Sequence, residues 1–331
     1  MSDQPDQEAG APHPREQMAF VGHERAEAEL ADALASARMH HAWLLTGPKG
    51  IGKATLAYRF ARRLLGAQQT GARPLDTAPD DPIVRRIAGN AVPDLRILRR
   101  SLNDRGDRYR TEITVDDARA VTDFLALKSG GDGWRVAIVD CVDDLNRNSA
   151  NALLKTLEEP PPRAALLLIC HAPGAALATI RSRCRRLALR PLDDAQVIEA
   201  ARLAGAETPD KAVLNLAGGR PGRAIALQSL GAGALASSIE DALDRAKKVG
   251  PSPLLSIAFE RGGPSGAERL DLLLEAGQNW LRRQAVKAES GDRYAAAWNE
   301  LADLRGQSEG LGLDATHSLA RAAQILYRAA S

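Results

Sequence analysis

Apolar and polar residues follow two distinct patterns over the first 190 residues of the chain. Short apolar runs bounded by glycine or polar residues predict buried strands at 42–46, 95–98, 136–139, 166–170 and 187–189. Apolar residues repeated at helical spacing predict helices at 24–39, 53–65, 116–128 and 148–159. Strands that alternate with helices favour an α/β domain whose parallel sheet carries helices on both faces.

The pattern changes on either side of this region. Residues 1–17 are polar and rich in proline, glutamate, glutamine and aspartate, a composition typical of a disordered tail. After residue 190 no further strand is predicted, and helical spacing alternates with glycine-rich interruptions. We therefore predict an α/β domain at 18–190, a small helical domain at 191–232 and a larger helical domain at 233–331.

Composition excludes several classes of protein. The net charge of +2 over 331 residues is too small to indicate nucleic-acid binding by itself, so any such contact requires a local patch. The sequence has neither a secretory pattern nor an apolar run long enough to span a membrane, which favours a cytoplasmic protein. Its three cysteines form no C-x-x-C pair, so no structural zinc site is expected.

The sequence GPKGIGK lies between a predicted strand and a predicted helix, which is the context of a phosphate-binding loop. Gly47, Gly50 and Gly52 would let backbone N–H groups close around phosphate oxygens, and the helix N-terminus adds positive potential. Lys53 would reach the outer phosphates. The alternative is a glycine-rich turn that binds nothing.

The residues expected to hold Mg²⁺ and to activate water are altered. The residue after Lys53 is usually Ser or Thr, but here it is Ala54, and Thr55 lies about 100° further around the helix. Asp140 ends a predicted strand, as a metal-orienting aspartate does, but Cys141 follows where a hydrolysing ATPase usually carries glutamate. ATP or ADP with Mg²⁺ is therefore expected to bind weakly or not at all, and no metal site is predicted.

Other polar features have a structural interpretation beside a functional one. Asp143 and Asp144 are expected to cap the next helix, and the basic stretch 99–110 favours a solvated excursion over a DNA site. The charged residues 155–159 are either a solvated helix end or a surface that faces another subunit. His171 is expected to be a packed or capping residue, because no second metal ligand lies at helical spacing from it.

Together these residues resemble the clamp-loader branch of AAA+ proteins, and within it the delta-prime subunits of bacterial DNA polymerase III. The resemblance rests on FVGHE at 20–24, HAWLLTGPKGIGK at 41–53, VAIVD at 136–140, ANALLKTLEEPP at 150–161, IRSRCR at 180–185 and AGGRPGRAI at 217–225. ANALLKTLEEPP and the SRC motif are specific to this branch, whereas the phosphate loop is not. Over residues 20–230, the resemblance implies a P-loop AAA+ domain and a helical lid. The last hundred residues are compatible with the family's all-α collar domain.

In such complexes five related subunits form an open ring that places a sliding clamp on primed DNA, with ATP between neighbours. The implied partners are the gamma/tau motor subunits and the clamp-opening delta subunit. Arg183, in the SRC motif, would touch in trans the γ-phosphate bound by the next subunit, since a guanidinium offers charge and fixed donors. Arg223 lies where a second sensor arginine belongs. Catalysis is not expected from the chain alone.

The sequence also departs from the family. Many relatives carry a four-cysteine zinc module, but residues 66–95 contain no cysteine, so no zinc is expected. Cys170 and His171 occupy the region where the first sensor residue is usually a small polar group. Delta-prime subunits commonly have a defective nucleotide site, which agrees with Ala54 and Cys141.

Other interpretations stay open from the residues alone. The chain would be an active gamma/tau-like ATPase motor if Asp143 or Asp144 supplied the missing acid. It would be a small-molecule kinase if the loop served phosphoryl transfer, although the helical 190–331 region and the SRC motif have no task there. For Arg183, the alternative to a role in trans is a solvated, arginine-rich edge.

Overall fold

The computed structural model describes residues 5–36, 39–127, 133–172, 174, 177–258, 265–288, 291–311 and 314–331. The chain forms two compact units. The first comprises Met1–Thr208 with Gly219–Ala226, and the second comprises Pro209–Gly218 with Leu227–Ser331. The boundary between them does not coincide with the predicted limits of a separate domain at 191–232, since residues of that range fall in both units.

The first unit is built on a five-stranded parallel sheet with strand order β2-β3-β4-β1-β5. The strands are β1 (Ala42–Thr46), β2 (Leu95–Leu98), β3 (Arg135–Asp140), β4 (Ala164–Cys170) and β5 (Arg185–Ala188). Every residue of β1 and β4 is buried, which is expected where helices cover both faces of a parallel sheet. All five strands overlap the predicted apolar runs, although β4 and β5 begin earlier than predicted, at Ala164 and Arg185.

The rest of the first unit includes several helices. They are α1 (Glu24–Ala35), α2 (Lys53–Leu64), α3 (Pro82–Ala88), α4 (Val115–Ala126), α5 (Arg147–Glu158), α6 (Ala178–Arg181) and α7 (Asp194–Leu203). Alternate residues of β1 enter opposite cores: Trp43 packs with α1 and α2, and Leu44 packs with α4 and α5. The predicted α/β P-loop class is therefore confirmed.

Two helices were not predicted because they are short and lack helical periodicity. In α3, Asp81 caps the helix by accepting a hydrogen bond from the Ile83 N–H, and Pro82 occupies the first turn. The other is the single-turn α6. The predicted helices 24–39 and 116–128 end earlier, at Ala35 and Ala126, and residues 37, 38 and 128 lie outside the described part of the chain.

The N-terminal segment, residues 5–17, is placed against the first unit and is not the disordered tail that its composition predicted. Asp6 and His13 are both buried. Asp6 forms ion pairs with His13, at 3.3 Å to Nε2, and with Arg99. The prediction from composition failed because the segment is held by ion pairs of its buried charged residues and not by an apolar core of its own.

The second unit is entirely helical over its described residues, as predicted. Its helices are α8 (Lys211–Ala217), the end of α9 (Pro221–Ser229), α10 (Gly233–Val249), α11 (Ser252–Ala258), α12 (Gly266–Lys287), α13 (Asp292–Leu311) and α14 (Ala315–Ala330). Gly277 in α12 permits a close approach to α14, because a Cβ there would lie 2.7 Å from the Leu326 side chain. None of the helices described in either unit is long and apolar enough to cross a bilayer.

Candidate functional site

The loop between β1 and α2 has the conformation of a phosphate-binding loop. Gly47, Gly50 and Gly52 have φ angles of 146°, 80° and 102°. A Cβ at Gly47 would lie 2.6 Å from the Leu189 carbonyl oxygen, and one at Gly50 would lie 2.8 Å from the Arg223 nitrogen. These positions need glycine both for the backbone angle and for the close approach of neighbouring backbone.

Lys53 begins α2 and is only 3% exposed. Its Nζ donates hydrogen bonds to the carbonyl oxygens of Gly47 at 2.6 Å and Pro48 at 2.8 Å. Burial lowers the pKa of Lys53 to about 8, although Asp140 and Asp143 oppose this shift. The ammonium group is therefore bonded to carbonyls of the loop itself.

Asp140, at the end of β3, is the buried acid of the site. Burial raises the pKa of Asp140 to about 7; the carboxylate of Asp6 raises it further, while Lys53 lowers it. The contribution of Asp6 shows that the N-terminal segment reaches the electrostatic environment of this carboxylate. Ala54 packs against the hydrophobic core, and Thr55 lines the cavity beside the loop.

Cys141 follows Asp140 and precedes a 3₁₀ turn, Val142–Asp144. It is buried, and burial together with the carboxylates of Asp144 and Asp143 raises the pKa of its thiol far above the ordinary value. A thiol that stays protonated at neutral pH does not act as the general base that a glutamate provides. The position that would activate water is therefore chemically inert in the metal-free chain.

Asp143 and Asp144 do not cap the next helix, contrary to the prediction. Asp143 accepts hydrogen bonds from the backbone N–H groups of His171 and Ala172, both at 2.7 Å. Asp144 lies 3.2 Å from the Nε of Arg100. The cap of α5 is instead a residue that the prediction did not single out, Asn146, whose Oδ1 accepts from the N–H groups of Asn148 and Ser149 at 3.0 Å.

The N-terminal segment occupies part of the cavity beside the phosphate loop. Its residues Asp6 and Glu8 line the cavity together with Lys53 and Asp140, and Glu8 lies 3.9 Å from the Nζ of Lys49. The cavity measures about 140 Å³, whereas ligand pockets usually measure about 300–1,000 Å³. This arrangement could not be predicted from the sequence, because Asp6 and Glu8 are far from the loop along the chain.

Arg223, the predicted second sensor, lies beside the phosphate loop. Backbone contacts of its neighbour in the chain hold it there. The preceding residue, Gly222, donates its N–H to the Gly50 carbonyl oxygen at 2.9 Å. A Cβ at Gly222 would lie 3.2 Å from the Gly50 Cα, so the start of α9 and the loop touch directly. Both segments belong to the first unit.

Arg183 lies between α6 and β5 on an open edge of the first unit. Its side chain is 34% exposed, and its Nη2 lies 2.6 Å from a carboxylate oxygen of Glu158, the last residue of α5. Its Nη1 donates to the Thr179 carbonyl oxygen at 2.9 Å. The structure thus joins the two most specific sequence motifs, SRC and ANALLKTLEEPP, through one ion pair that the sequence did not reveal.

The fold and the glycine loop define a P-loop protein of the AAA+ class. The family model described as "DNA polymerase III, delta subunit" matches residues 22–193. The chain therefore belongs to this family, which lies in the clamp-loader branch of that class.

Several curated proteins are similar to about half of the chain. DNA polymerase III subunit tau/gamma from Haemophilus influenzae is 34% identical over 177 residues, which cover 54% of this chain and 24% of that protein. DNA polymerase III subunit delta' from Pseudomonas aeruginosa is 34% identical over 184 residues, covering 55% and 53%. The corresponding delta' protein of Yersinia pestis is 34% identical over 156 residues, covering 47% and 43%. The chain spans about half the length, or less, of these relatives.

Proposed function

We propose that the chain is a delta-prime-type subunit of a DNA polymerase III clamp loader. In this role it contributes Arg183 to the ATP site of a neighbouring subunit and does not hydrolyse ATP itself. The observation that carries the proposal is the contrast between a phosphate loop closed by the chain's own groups and an arginine left on an open edge. Family membership and the names of the similar proteins indicate the assembly, a clamp loader, in which Arg183 would act on a neighbour's ATP.

The chain's own nucleotide site lacks two groups that hydrolysis needs, and its N-terminal segment narrows the space for a nucleotide. The hydroxyl that would bind Mg²⁺ is replaced by Ala54, and the acid that would activate water is replaced by Cys141. The N-terminal segment also takes up space beside the loop and brings the Asp6 and Glu8 carboxylates, which repel a phosphate. Nucleotide is therefore bound weakly or not at all, with or without Mg²⁺.

Arg183 is suited to act outside the chain because its present partner is weakly held. An exposed ion pair such as that with Glu158 contributes about 0–1 kcal/mol. A γ-phosphate offers more negative charge and more acceptor oxygens than one carboxylate, so it would replace Glu158 when a neighbour presents it. Arginine fingers of this kind stabilise the charge that develops during phosphoryl transfer.

The partners follow from the same proposal. The chain would join gamma/tau motor subunits and the clamp-opening delta subunit in a five-membered ring that acts on a sliding clamp and primed DNA. The exposed end of α5 and the Arg183 edge would face the motor subunit whose ATP they serve. Arg223, beside the closed loop, would have a structural task in this chain.

An active motor of the gamma/tau type is the second candidate, favoured by the 34% identity to the Haemophilus tau/gamma subunit. That role requires an acid able to orient water near Asp140. The carboxylate of Asp143 is bonded to the backbone of His171 and Ala172, and that of Asp144 lies against Arg100. Because both neighbouring acids are engaged, the geometry favours the non-hydrolysing role.

The test is ATP hydrolysis by a clamp loader reassembled with Arg183→Ala. Removing an arginine finger is expected to slow turnover by about 1,000-fold or more. Arg190→Ala is the matched control, because Arg190 is an exposed arginine close to Arg183 in the chain, and it should leave turnover unchanged. Unchanged turnover with Arg183→Ala, or Mg²⁺-dependent hydrolysis by the isolated wild-type chain, would contradict the proposal.

A further inference from the structure

The side chains of Asp140, Cys141 and His171 lie close together where β3 and β4 end. The sequence predicts different roles for them. One ligand atom each of Asp140, Cys141 and His171 lies within 4.8 Å of the others. Asp140 and Cys141 are buried, and the Nδ1 of His171 is buried without a hydrogen-bond partner. A buried imidazole nitrogen without a hydrogen-bond partner lowers stability. Because this one lies beside a carboxylate and a thiol, a bound metal ion would give it a partner.

The position of His171 is built into the fold by Asp143. The Asp143 carboxylate accepts from the N–H groups of His171 and Ala172 and so fixes the loop after β4 against the turn after β3. Metal ligands are commonly positioned by hydrogen bonds with outer groups, and Asp143 does so here through the backbone of His171 and not through its ring. Two carboxylates therefore have different tasks: Asp140 is a candidate ligand, and Asp143 positions another.

We infer that Asp140, Cys141 and His171 form a binding site for a borderline divalent transition metal, with Zn²⁺ as the best match. Carboxylate, thiolate and imidazole together suit Zn²⁺, whereas Mg²⁺ prefers a shell of oxygen ligands. This inference departs from the sequence-based expectation of no metal and no zinc. It does not depend on the clamp-loader assignment.

The site has the ligand number of an open zinc centre. Three protein ligands leave a fourth position, and Asp140 and His171 both line the cavity beside the phosphate loop, from which water can supply it. On binding, the Cys141 sulfur forms a bond to the metal and releases its proton to solvent, with no change of oxidation state. Lys53 is a nearby cation that opposes binding, and its Nζ is bonded to the carbonyls of Gly47 and Pro48.

The experiment uses the full chain without a histidine tag, stripped of metal by a chelator and then titrated with Zn²⁺ and, separately, with Co²⁺. Elemental analysis should find about one Zn²⁺ per chain. Bound Co²⁺ should show a thiolate charge-transfer band in the near ultraviolet. Mg²⁺ in large excess should not displace either metal, since it binds thiolate and imidazole poorly.

Variants assign the ligands. Cys141→Ser should abolish the Co²⁺ band, and Asp143→Asn should weaken binding by about tenfold or more through the freed His171. Cys184→Ser is the matched control, because Cys184 is a partly buried thiol outside the cluster, and it should keep the band. His171→Gln gives a second assignment if Cys141→Ser does not fold, as judged by circular dichroism.

Three results would overturn the inference. They are absence of metal from the wild-type chain after titration, binding that persists in both Cys141→Ser and His171→Gln, and sub-stoichiometric metal that a weak chelator removes equally from wild type and variants.

Discussion

The cation of the phosphate loop, Lys53, and the cation of the open edge, Arg183, lie in contrasting environments. Lys53 is 3% exposed and bonded to loop carbonyls, whereas Arg183 is 34% exposed, pairs with the exposed carboxylate of Glu158 and donates to one backbone carbonyl, that of Thr179. The first cation is difficult to reach and has two backbone partners. The second can exchange its partner at little cost. The difference supports the proposal that Arg183 acts on a ligand bound by another protein.

The largest effect is expected at the edge. Arg183→Lys keeps the charge but removes the planar fork of donors, so much of the roughly 1,000-fold contribution of an arginine finger should be lost, leaving turnover down by about 100-fold. Single-turnover ATP hydrolysis by the reassembled complex measures this. The unfolding midpoint of the isolated variant should stay close to that of wild type, since lysine can keep the ion pair with Glu158, which itself contributes about 0–1 kcal/mol. Full activity with lysine would show that only the positive charge at position 183 matters, and not the planar guanidinium.

The next effect tests how strongly the loop holds Lys53. Burial lowers the pKa of Lys53 to about 8 from 10.5, so the unfolded chain binds more protons between these values and stability rises with pH across that window. Relative to Lys53→Met, wild type should gain about 2 kcal/mol of unfolding free energy between pH 7 and pH 10.

Urea unfolding of both chains at the two pH values gives this difference. Comparing wild type with Lys53→Met cancels the titration of groups that the substitution leaves in place. A constant difference between the chains would show that Lys53 keeps an ordinary pKa, and a difference of the opposite sign would show that the folded loop favours the charged ammonium.

A smaller effect is expected from opening the loop. Deletion of residues 1–11 removes Asp6 and Glu8 from the cavity and should strengthen ADP binding by about tenfold, equivalent to about 1.4 kcal/mol. Isothermal titration calorimetry measures it, with Glu8→Gln as a milder variant of intermediate affinity. Unchanged or weaker binding in a folded deletion variant would mean that the N-terminal segment does not compete with nucleotide.

The smallest effect is expected from repairing one residue of the loop. Ala54→Thr restores a hydroxyl where Mg²⁺ is usually held, but Cys141 still provides no base, so the isolated chain should remain without measurable ATPase activity. A coupled-enzyme assay with Mg²⁺ checks this. Appreciable turnover from the single substitution would show that the site is less impaired than its residues indicate.

The sequence predicts the parts of this molecule that depend on local pattern. The strands around Leu44 and Leu167 could be found because a buried parallel strand requires a continuous apolar run. The phosphate loop could be found because its glycines have a fixed spacing between a strand and a helix.

Contacts between distant residues could not be predicted in this way. The pair Arg183–Glu158, the anchoring of His171 by Asp143 and the entry of Asp6 into the cavity each join segments that are far apart in the chain. A charged residue has the same local pattern whether it is solvated or paired across the fold. For that reason Asp143 was expected to be a helix cap, and the N-terminal segment was expected to be disordered.

The hydrogen bonds from His171 and Ala172 to Asp143 have a mechanical consequence. They join the chain just after β3 to the chain just after β4, two adjacent strands of the sheet. Hydrogen bonds at this place limit the movement of the two strand ends relative to each other. In the proposed assembly, this would let the chain keep its shape while a neighbouring subunit hydrolyses ATP.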